Sequence, residues 1–245
     1  MTSAATAAAP IFNPRPRIER IALVNGAFCL VIDDAFAEPE RIVEFAINHR
    51  AAFRNVDFNA YPGTYLLAPT TLSNALSEFF MQHLRRFFDA RRIMSSHCRF
   101  SLVTLRPEQL RPYQWFCHSD NLNVPAPQSI QASVLYLFKD ESLGGTSFYE
   151  TAVSRAEIAM FNRDAGELSP ETFAQKYALE PTYMCESSRY FTKVGSVPAR
   201  FNRLIFYDGS ILHSGDIREP EKLSEDPALG RLTFNGFFTC RRNAS

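Results

Sequence analysis

Cys117-His118-Ser119-Asp120-Asn121 and, almost a hundred residues later, Ile211-Leu212-His213-Ser214-Gly215-Asp216 are the two stretches whose reading decides the fold of this 245-residue chain. Side chains alternate along an extended segment, so His118 and Asp120, two positions apart, point to one side and can reach one ion. His213, arriving from a distant strand, would complete a two-histidine, one-carboxylate face. That donor set suits non-haem Fe(II): two imidazoles and one carboxylate hold the ion on three positions and leave three open. The remainder of the chain is therefore expected to build a β-barrel that brings the two segments together.

Working outward from them, strand character begins at Arg99. Phe100–Leu105, Tyr113–His118, Ile130–Phe138, Thr146–Glu150, Arg189–Val194, Arg203–Tyr207, Ile211–Ile217 and Arg231–Cys240 are apolar or alternating runs separated by Pro- and Gly-containing connections. That count matches the eight strands of a jelly roll. Arg155–Tyr177 breaks the pattern with helix-forming residues and a helix start at Ser169-Pro170-Glu171, and predicts a helical insertion at about 152–185.

Before Arg99 the pattern differs. Ile18–Ile32 reads as a hairpin around Asn25-Gly26. Glu38–Phe53 and Thr71–Arg92 read as helices: the first opens on acidic residues and Pro39, and the second carries Leu72, Leu76, Phe79, Phe80, Leu84, Phe87 and Phe88 at spacings of three and four. Arg91 and Arg92 would then close the second helix at its negative end. These elements, 18–98, are expected to brace one sheet of a core spanning 99–245, with 1–17 a flexible, Pro-punctuated arm; the whole is one structural domain.

Composition narrows the function. Hydrophobic residues make up 46% and charged residues 21%, with 22 Phe and 9 Tyr to fill a core. Lys+Arg and Asp+Glu are both 26, so no net field draws the chain to nucleic acid or to an anionic membrane. The five cysteines are odd in number and lack any C-x-x-C pair, which fits reduced thiols in the cytoplasm. No secretory signal is read in the first residues, and the longest apolar stretch, Ile21–Ile32, is too short to span a bilayer.

The ordered features H-x-D, Ser133-Val134-Leu135-Tyr136-Leu137-Phe138, Gly144-Gly145-Thr146-Ser147-Phe148, His213 before Ser-Gly, and Arg231-x-Thr233 resemble the Fe(II)/2-oxoglutarate dioxygenase superfamily, in its prolyl-4-hydroxylase-like branch. They also resemble DUF6445, an uncharacterised bacterial family of that superfamily. The resemblance covers about residues 99–240. It implies a double-stranded β-helix (jelly roll, cupin-like), mainly β with N-terminal helices packed on one sheet. It also implies His118, Asp120 and His213 as iron ligands, Arg231 as the grip on the distal carboxylate of 2-oxoglutarate with the Thr233 hydroxyl beside it, and Tyr136 as a phenol against the cosubstrate or a core aromatic. Arg231 follows His213 by eighteen residues, a longer gap than related enzymes use; the charged stretch Arg218–Leu229 accounts for it as an inserted loop, with Arg218 and Arg241 as substitutes for Arg231.

The activity so implied is O2-dependent oxidation of an amino-acid, peptidyl or small-molecule C–H bond, with 2-oxoglutarate converted to succinate. Halogenases of the superfamily have Gly or Ala at the carboxylate position, so Asp120 points to a hydroxylase. The alternatives are a non-catalytic jelly-roll module that binds a sugar or peptide, and a cupin-like metalloenzyme that does not use 2-oxoglutarate. Trp115 and Phe116 line either the substrate mouth or a buried cluster. The 155–177 insertion and the 218–229 loop are the lid candidates.

Overall fold

The computed structural model describes residues 11–55, 61–120 and 124–243. In chain order its elements are β1 (Ile18–Ala22), β2 (Phe28–Ile32), α1 (Pro39–Asn48), β3 (Arg54–Asn55), β4 (Gly63–Leu67), α2 (Thr70–Phe79), β5 (Ala90–Val103), β6 (Gln128–Tyr136), β7 (Thr146–Thr151), α3 (Arg155–Glu167), α4 (Pro170–Tyr177), β8 (Phe191–Val197), β9 (Leu204–Asp208), β10 (Leu212–Gly215) and β11 (Arg231–Arg242).

Two antiparallel sheets result, one of eight strands in the order β1-β2-β9-β6-β11-β5-β4-β3 and one of three in the order β10-β7-β8. An isolated bridge between His118 and His213 adds the 118 segment to the edge of the smaller sheet. From β5 onward the chain then contributes β5, the 118 segment, β6, β7, β8, β9, β10 and β11, four to each sheet, in the order β9-β6-β11-β5 facing 118-β10-β7-β8. This is a double-stranded β-helix, with β1 to β4 widening its larger sheet.

Alternation divides the large sheet into two working faces. Phe100, Leu102, Leu135, Leu204, Phe206, Phe234 and Phe238 pack outward against Ile42 and Ala46 of α1 and Leu72, Leu76 and Phe79 of α2. Burial of each such Phe contributes roughly 2 kcal/mol. The alternate positions, Ala132, Tyr136, Ile205 and Tyr207, face Phe148 and Val197 of the small sheet. The outer face of the small sheet is not bare. Tyr149 and Phe191 are covered by Phe161 of α3 and by Phe173 and Tyr177 of α4. The insertion is thus a bracing layer, and its Asp164 takes bonds from Lys176 and from the Tyr177 hydroxyl at 2.6 Å.

The hairpin at Asn25-Gly26 forms as expected, with both residues at positive φ. The first helix is shorter than predicted: α1 stops at Asn48 and a 3-10 turn, Arg50–Ala52, follows. The second differs more. α2 ends at Phe79 and widens into a π-turn over Phe80–Leu84; Asp89 turns at φ 52°, and β5 has begun by Ala90. Arg92 pairs with Arg241 of β11 instead of closing a helix. Helical structure reaches only Leu84, residues 85–89 form a turn that leaves Phe87 exposed, and β-ladder pairing along β5 takes over from Ala90. Tyr113–His118 is also not a full strand. Pro112–Gln114 is a 3-10 turn in which the Arg111 amide donates to Gln114 Oε1 at 2.8 Å, and only His118 pairs.

Of the arm predicted over 1–17, residues 1–10 lie outside the described residues. Phe12 is docked: it bridges Phe36, and its ring stacks on Phe79 at 4.3 Å. No helix among the described residues is long and apolar enough to cross a membrane.

Past the C-terminal end of β2, Asp33 accepts from Arg203 Nε (2.6 Å) and Nη2 (2.9 Å) and from Arg200 Nη1 (2.9 Å), tying the β2 end to the turn before β9. Arg203 and Arg200 hold its carboxyl below the usual aspartate range. A depressed carboxylate contributes stability that is complete above the unfolded value of about 3.9 and is lost as pH falls through the folded value. Asp33→Asn is therefore expected to flatten the acid limb of a stability-versus-pH curve below about pH 4. Urea midpoints across that range check it; slopes identical to the parent chain's would show that the pair does not couple to folding.

Candidate metal centre

β10 and the 118 segment hold the two histidines back to back. The His118 amide donates to the His213 carbonyl at 3.0 Å and the His213 amide to the His118 carbonyl at 2.8 Å, so their rings face each other with centroids 4.5 Å apart. Asp120 is placed by its own amide, which donates to the Gly209 carbonyl at 2.8 Å. A Cβ at position 209 would lie 3.2 Å from Asp120 Cβ, a close approach that a glycine there relieves. One nitrogen or oxygen from each of His118, Asp120 and His213 falls within 4.8 Å of the others. The contacts are His213 Nε2 to Asp120 Oδ2 at 3.4 Å and His118 Nε2 to Asp120 Oδ1 at 3.8 Å.

Three features fit this group to a cation. Asp120 Oδ2 is sealed from solvent and has no hydrogen-bond partner among the described residues, an uncompensated acceptor of the kind a metal ion satisfies. His213 Nδ1 lies 2.9 Å from the Ile211 carbonyl; that oxygen can only accept, so the proton sits on Nδ1 and Nε2 presents its lone pair to the centre. At His118, half of the side-chain surface is open, yet the protein crowding the ring and the neighbouring His213 outweigh the pull of Asp120 and push its pKa down. The imidazole is neutral at neutral pH, the form that ligates. Cys117 points the other way, into the cluster beneath α3 and α4.

Arg231 opens β11 on the interior face and is 5% exposed. Its Nε donates to the carbonyls of Leu143 (3.0 Å) and Gly144 (3.1 Å), and Nη2 donates to Gly145 (2.8 Å). Nη1 has no hydrogen bond among the described residues and is available to a ligand. The guanidinium also lies near Gly215, with Nη2 3.6 Å from where a Cβ there would sit. Gly215 is two residues from His213 on β10, so at about 3.3 Å per residue the arginine is roughly 7 Å along the strand from His213.

The Gly144-Gly145 turn shapes this cradle. Gly144 adopts φ +87°, and a Cβ would stand 2.0 Å from the Asp216 carbonyl oxygen; one on Gly145 would stand 2.0 Å from that of Val197. Gly144→Ala combines the positive-φ penalty with a backbone collision, so a loss of about 3 kcal/mol or more is expected, read from chemical denaturation. A loss below about 1 kcal/mol would show that the turn is more plastic than its contacts imply.

Tyr136 is fully buried, its hydroxyl 2.8 Å from Thr146 Oγ1. Desolvation raises its pKa, so the phenol keeps its proton. Thr233 stands opposite Tyr136 in the β11–β6 register, and its hydroxyl donates to the Ser101 carbonyl at 3.4 Å. The structure thus gathers all six residues named from the sequence in one barrel, with His118 half-exposed at the edge of the smaller sheet. Arg218 is not a substitute for Arg231, because it pairs with Glu186 and Asp216 at a half-exposed site; Arg241 lies near the far end of β11. The 218–229 loop exists, held down by the Arg106 guanidinium, which donates to the carbonyls of Pro220 and Leu223. Trp115 is buried, its indole N–H on the Leu110 carbonyl and its ring edge-on to Phe173 of α4, which places it in the buried cluster.

Sequence reasoning missed Thr146, whose only signal was its place after the glycine pair, and Tyr207, whose ring packs 4.7 Å from His213. Neither of two clefts, about 560 Å³ beside Asn13 and Phe36 and about 470 Å³ between the insertion and Ile217, is lined by a residue of the triad.

No curated protein matches the sequence. Among solved structures, the chain is similar to SnoK, a non-haem alpha-ketoglutarate-dependent carbocyclase from nogalamycin biosynthesis, at 13% identity and TM-score 0.49 over 86% of this chain and 79% of that one. A prolyl 4-hydroxylase from Phytophthora capsici gives 13% identity and TM-score 0.42 over 87% of this chain, which spans only 58% of that protein. HygX from Streptomyces hygroscopicus, solved with nickel and 2-oxoglutarate, gives 12% identity and TM-score 0.40 over 86% and 82% of the two chains. The fold assignment itself rests on the strand order and register above. Residues 14–238 match DUF6445, a family of unknown function, and the chain belongs to that family.

Proposed function

We propose that this protein is an Fe(II)- and 2-oxoglutarate-dependent oxygenase acting on a C–H bond of an amino-acid, peptidyl or other small-molecule substrate. The observation that carries the reading is the convergence of His118, Asp120 and His213 around an Asp120 oxygen that has no hydrogen-bond partner among the described residues. When bound, iron and 2-oxoglutarate together supply an O2-dependent two-electron oxidation, in which 2-oxoglutarate loses carbon dioxide to become succinate.

The chain's own residues do the rest. His213, its tautomer set by Ile211, and neutral His118 offer imidazole nitrogens, and Asp120 offers the charge that favours a divalent cation. Arg231 Nη1 would take the distal carboxylate of 2-oxoglutarate, with the Tyr136 hydroxyl as a further donor; the Leu143, Gly144 and Gly145 carbonyls hold the guanidinium still beforehand. Asp120 fills the third protein position, so no place is left among the protein ligands for a halide, and hydroxylation is favoured over halogenation.

Anaerobic addition of Fe(II) followed by 2-oxoglutarate is expected to give the weak visible charge-transfer band of a chelated 2-oxo acid. Absence of the band with iron bound would leave a metalloenzyme that does not use 2-oxoglutarate; failure to bind iron at all would leave a jelly-roll binding module.

A further inference from the structure

Beside the triad and the Arg231 cradle, the barrel interior holds one more cation that neither uses. β5 alternates Phe100 and Leu102 into the helix-facing core, which turns Arg99 and Ser101 to the interior, on the face that carries Arg231 and Thr233 of β11. The Arg99 guanidinium is clamped between two rings, 4.0 Å from the centroid of Tyr65 and 4.6 Å from that of Phe237. It forms no ion pair and no hydrogen bond among the described residues, and its Nε is sealed from water without an acceptor. Opposite it in the β11 register is Asn235, whose Nδ2 donates to Ser101 Oγ at 3.1 Å and whose Oδ1 is also buried without a partner. A donor and an acceptor on facing residues are both uncompensated, so the polar bonding of these two side chains is incomplete among the described residues.

Its position relates it to the metal centre. Tyr207, Ala132 and Phe237 form one row across β9, β6 and β11. Tyr207 packs against His213 at one end, and Phe237 carries Arg99 at the other. The two end residues are two strands apart, about 10 Å, and Ala132 between them is the small residue of the row.

Building on the oxygenase reading, we infer that Arg99 is the substrate-specificity residue: its guanidinium receives a carboxylate of the substrate. A planar fork held by two rings is matched to a carboxylate and not to a neutral amide. The substrate is then a small carboxylic acid, oxidised at a carbon several bonds from its carboxylate.

The test uses the protein loaded anaerobically with Fe(II) and 2-oxoglutarate, titrated calorimetrically with matched probes: N-acetyl amino acids and their C-terminal amides. The visible band reports first on the oxygenase reading, so its absence sinks that reading and this inference together. With the band present, acids are expected to bind at least tenfold more tightly than their amides, and Arg99→Gln to remove that preference. Arg99→Lys, which keeps charge and ring contact but lacks the fork, is expected to restore part of it and guards against a glutamine variant that does not fold. Equal binding of acids and amides, no binding of any acid, or an unchanged preference in folded Arg99→Gln would each overturn the assignment and leave Arg99 as a stacking residue only.

Discussion

Replacing His213 with alanine is expected to give a folded protein that no longer retains Fe(II), with metal affinity reduced by more than about 100-fold. Loss of an outer partner that merely orients a ligand costs about 10- to 100-fold in affinity, so loss of a ligand itself must exceed that range. The structural cost is small by comparison. His213 donates one side-chain bond, to the Ile211 carbonyl, worth about 1 kcal/mol, while its backbone bridge to His118 survives the substitution. Iron stoichiometry after anaerobic reconstitution is the measurement, with thermal melting as the check on folding. His97→Ala, on an exposed position of β5, serves as the control and is expected to keep its iron. Stoichiometric iron in folded His213→Ala would remove His213 from the ligand set, and with it the reading of the two segments as halves of one site.

Much of this arrangement was legible in the chain because period-two alternation is short-ranged. His118 and Asp120 two apart, and Arg231 and Thr233 two apart, announce shared faces wherever the strands end up. The glycine pair was legible as a turn, though its purpose was not: only in three dimensions do the Asp216 and Val197 carbonyls exclude a Cβ, and only there do its own carbonyls turn onto Arg231. Two misreadings have the same origin. The heptad-like run through Phe88 is a local pattern, whereas the end of the helix is set by pairing of β5 with β11, more than a hundred residues away. Tyr113–His118 had the composition of a strand, but Pro112 and the Gln114 cap favour a 3-10 turn. Arg99 was invisible for a similar reason. Its neighbours in sequence say only that it alternates with Phe100; the rings that clamp it come from β4 and β11.

Arg231 is where structure and chemistry are most closely joined, so its two substitutions are expected to separate. Arg231→Ala removes a buried guanidinium that donates to three carbonyls. Bonds from a charged donor contribute about 1.5–3 kcal/mol each, and each abandoned buried acceptor adds its own cost, so a loss of about 3 kcal/mol or more of stability is expected as well as loss of 2-oxoglutarate binding. Arg231→Lys keeps the charge but has no planar fork; it can hold one or two of the Leu143, Gly144 and Gly145 carbonyls or point at the ligand, and cannot do both. That variant is expected to fold, to bind Fe(II) as the parent does, and to need about 10- to 100-fold more 2-oxoglutarate to develop the charge-transfer band, the cost of roughly 1.4–2.8 kcal/mol in a lost charge-assisted contact from Nη1. Titration of the band at fixed iron measures the shift, and denaturation midpoints measure the structural part. An Arg231→Lys protein with an unshifted titration would mean that Nη1 does not meet the cosubstrate, and that Arg231 serves only to pin the glycine turn against β11.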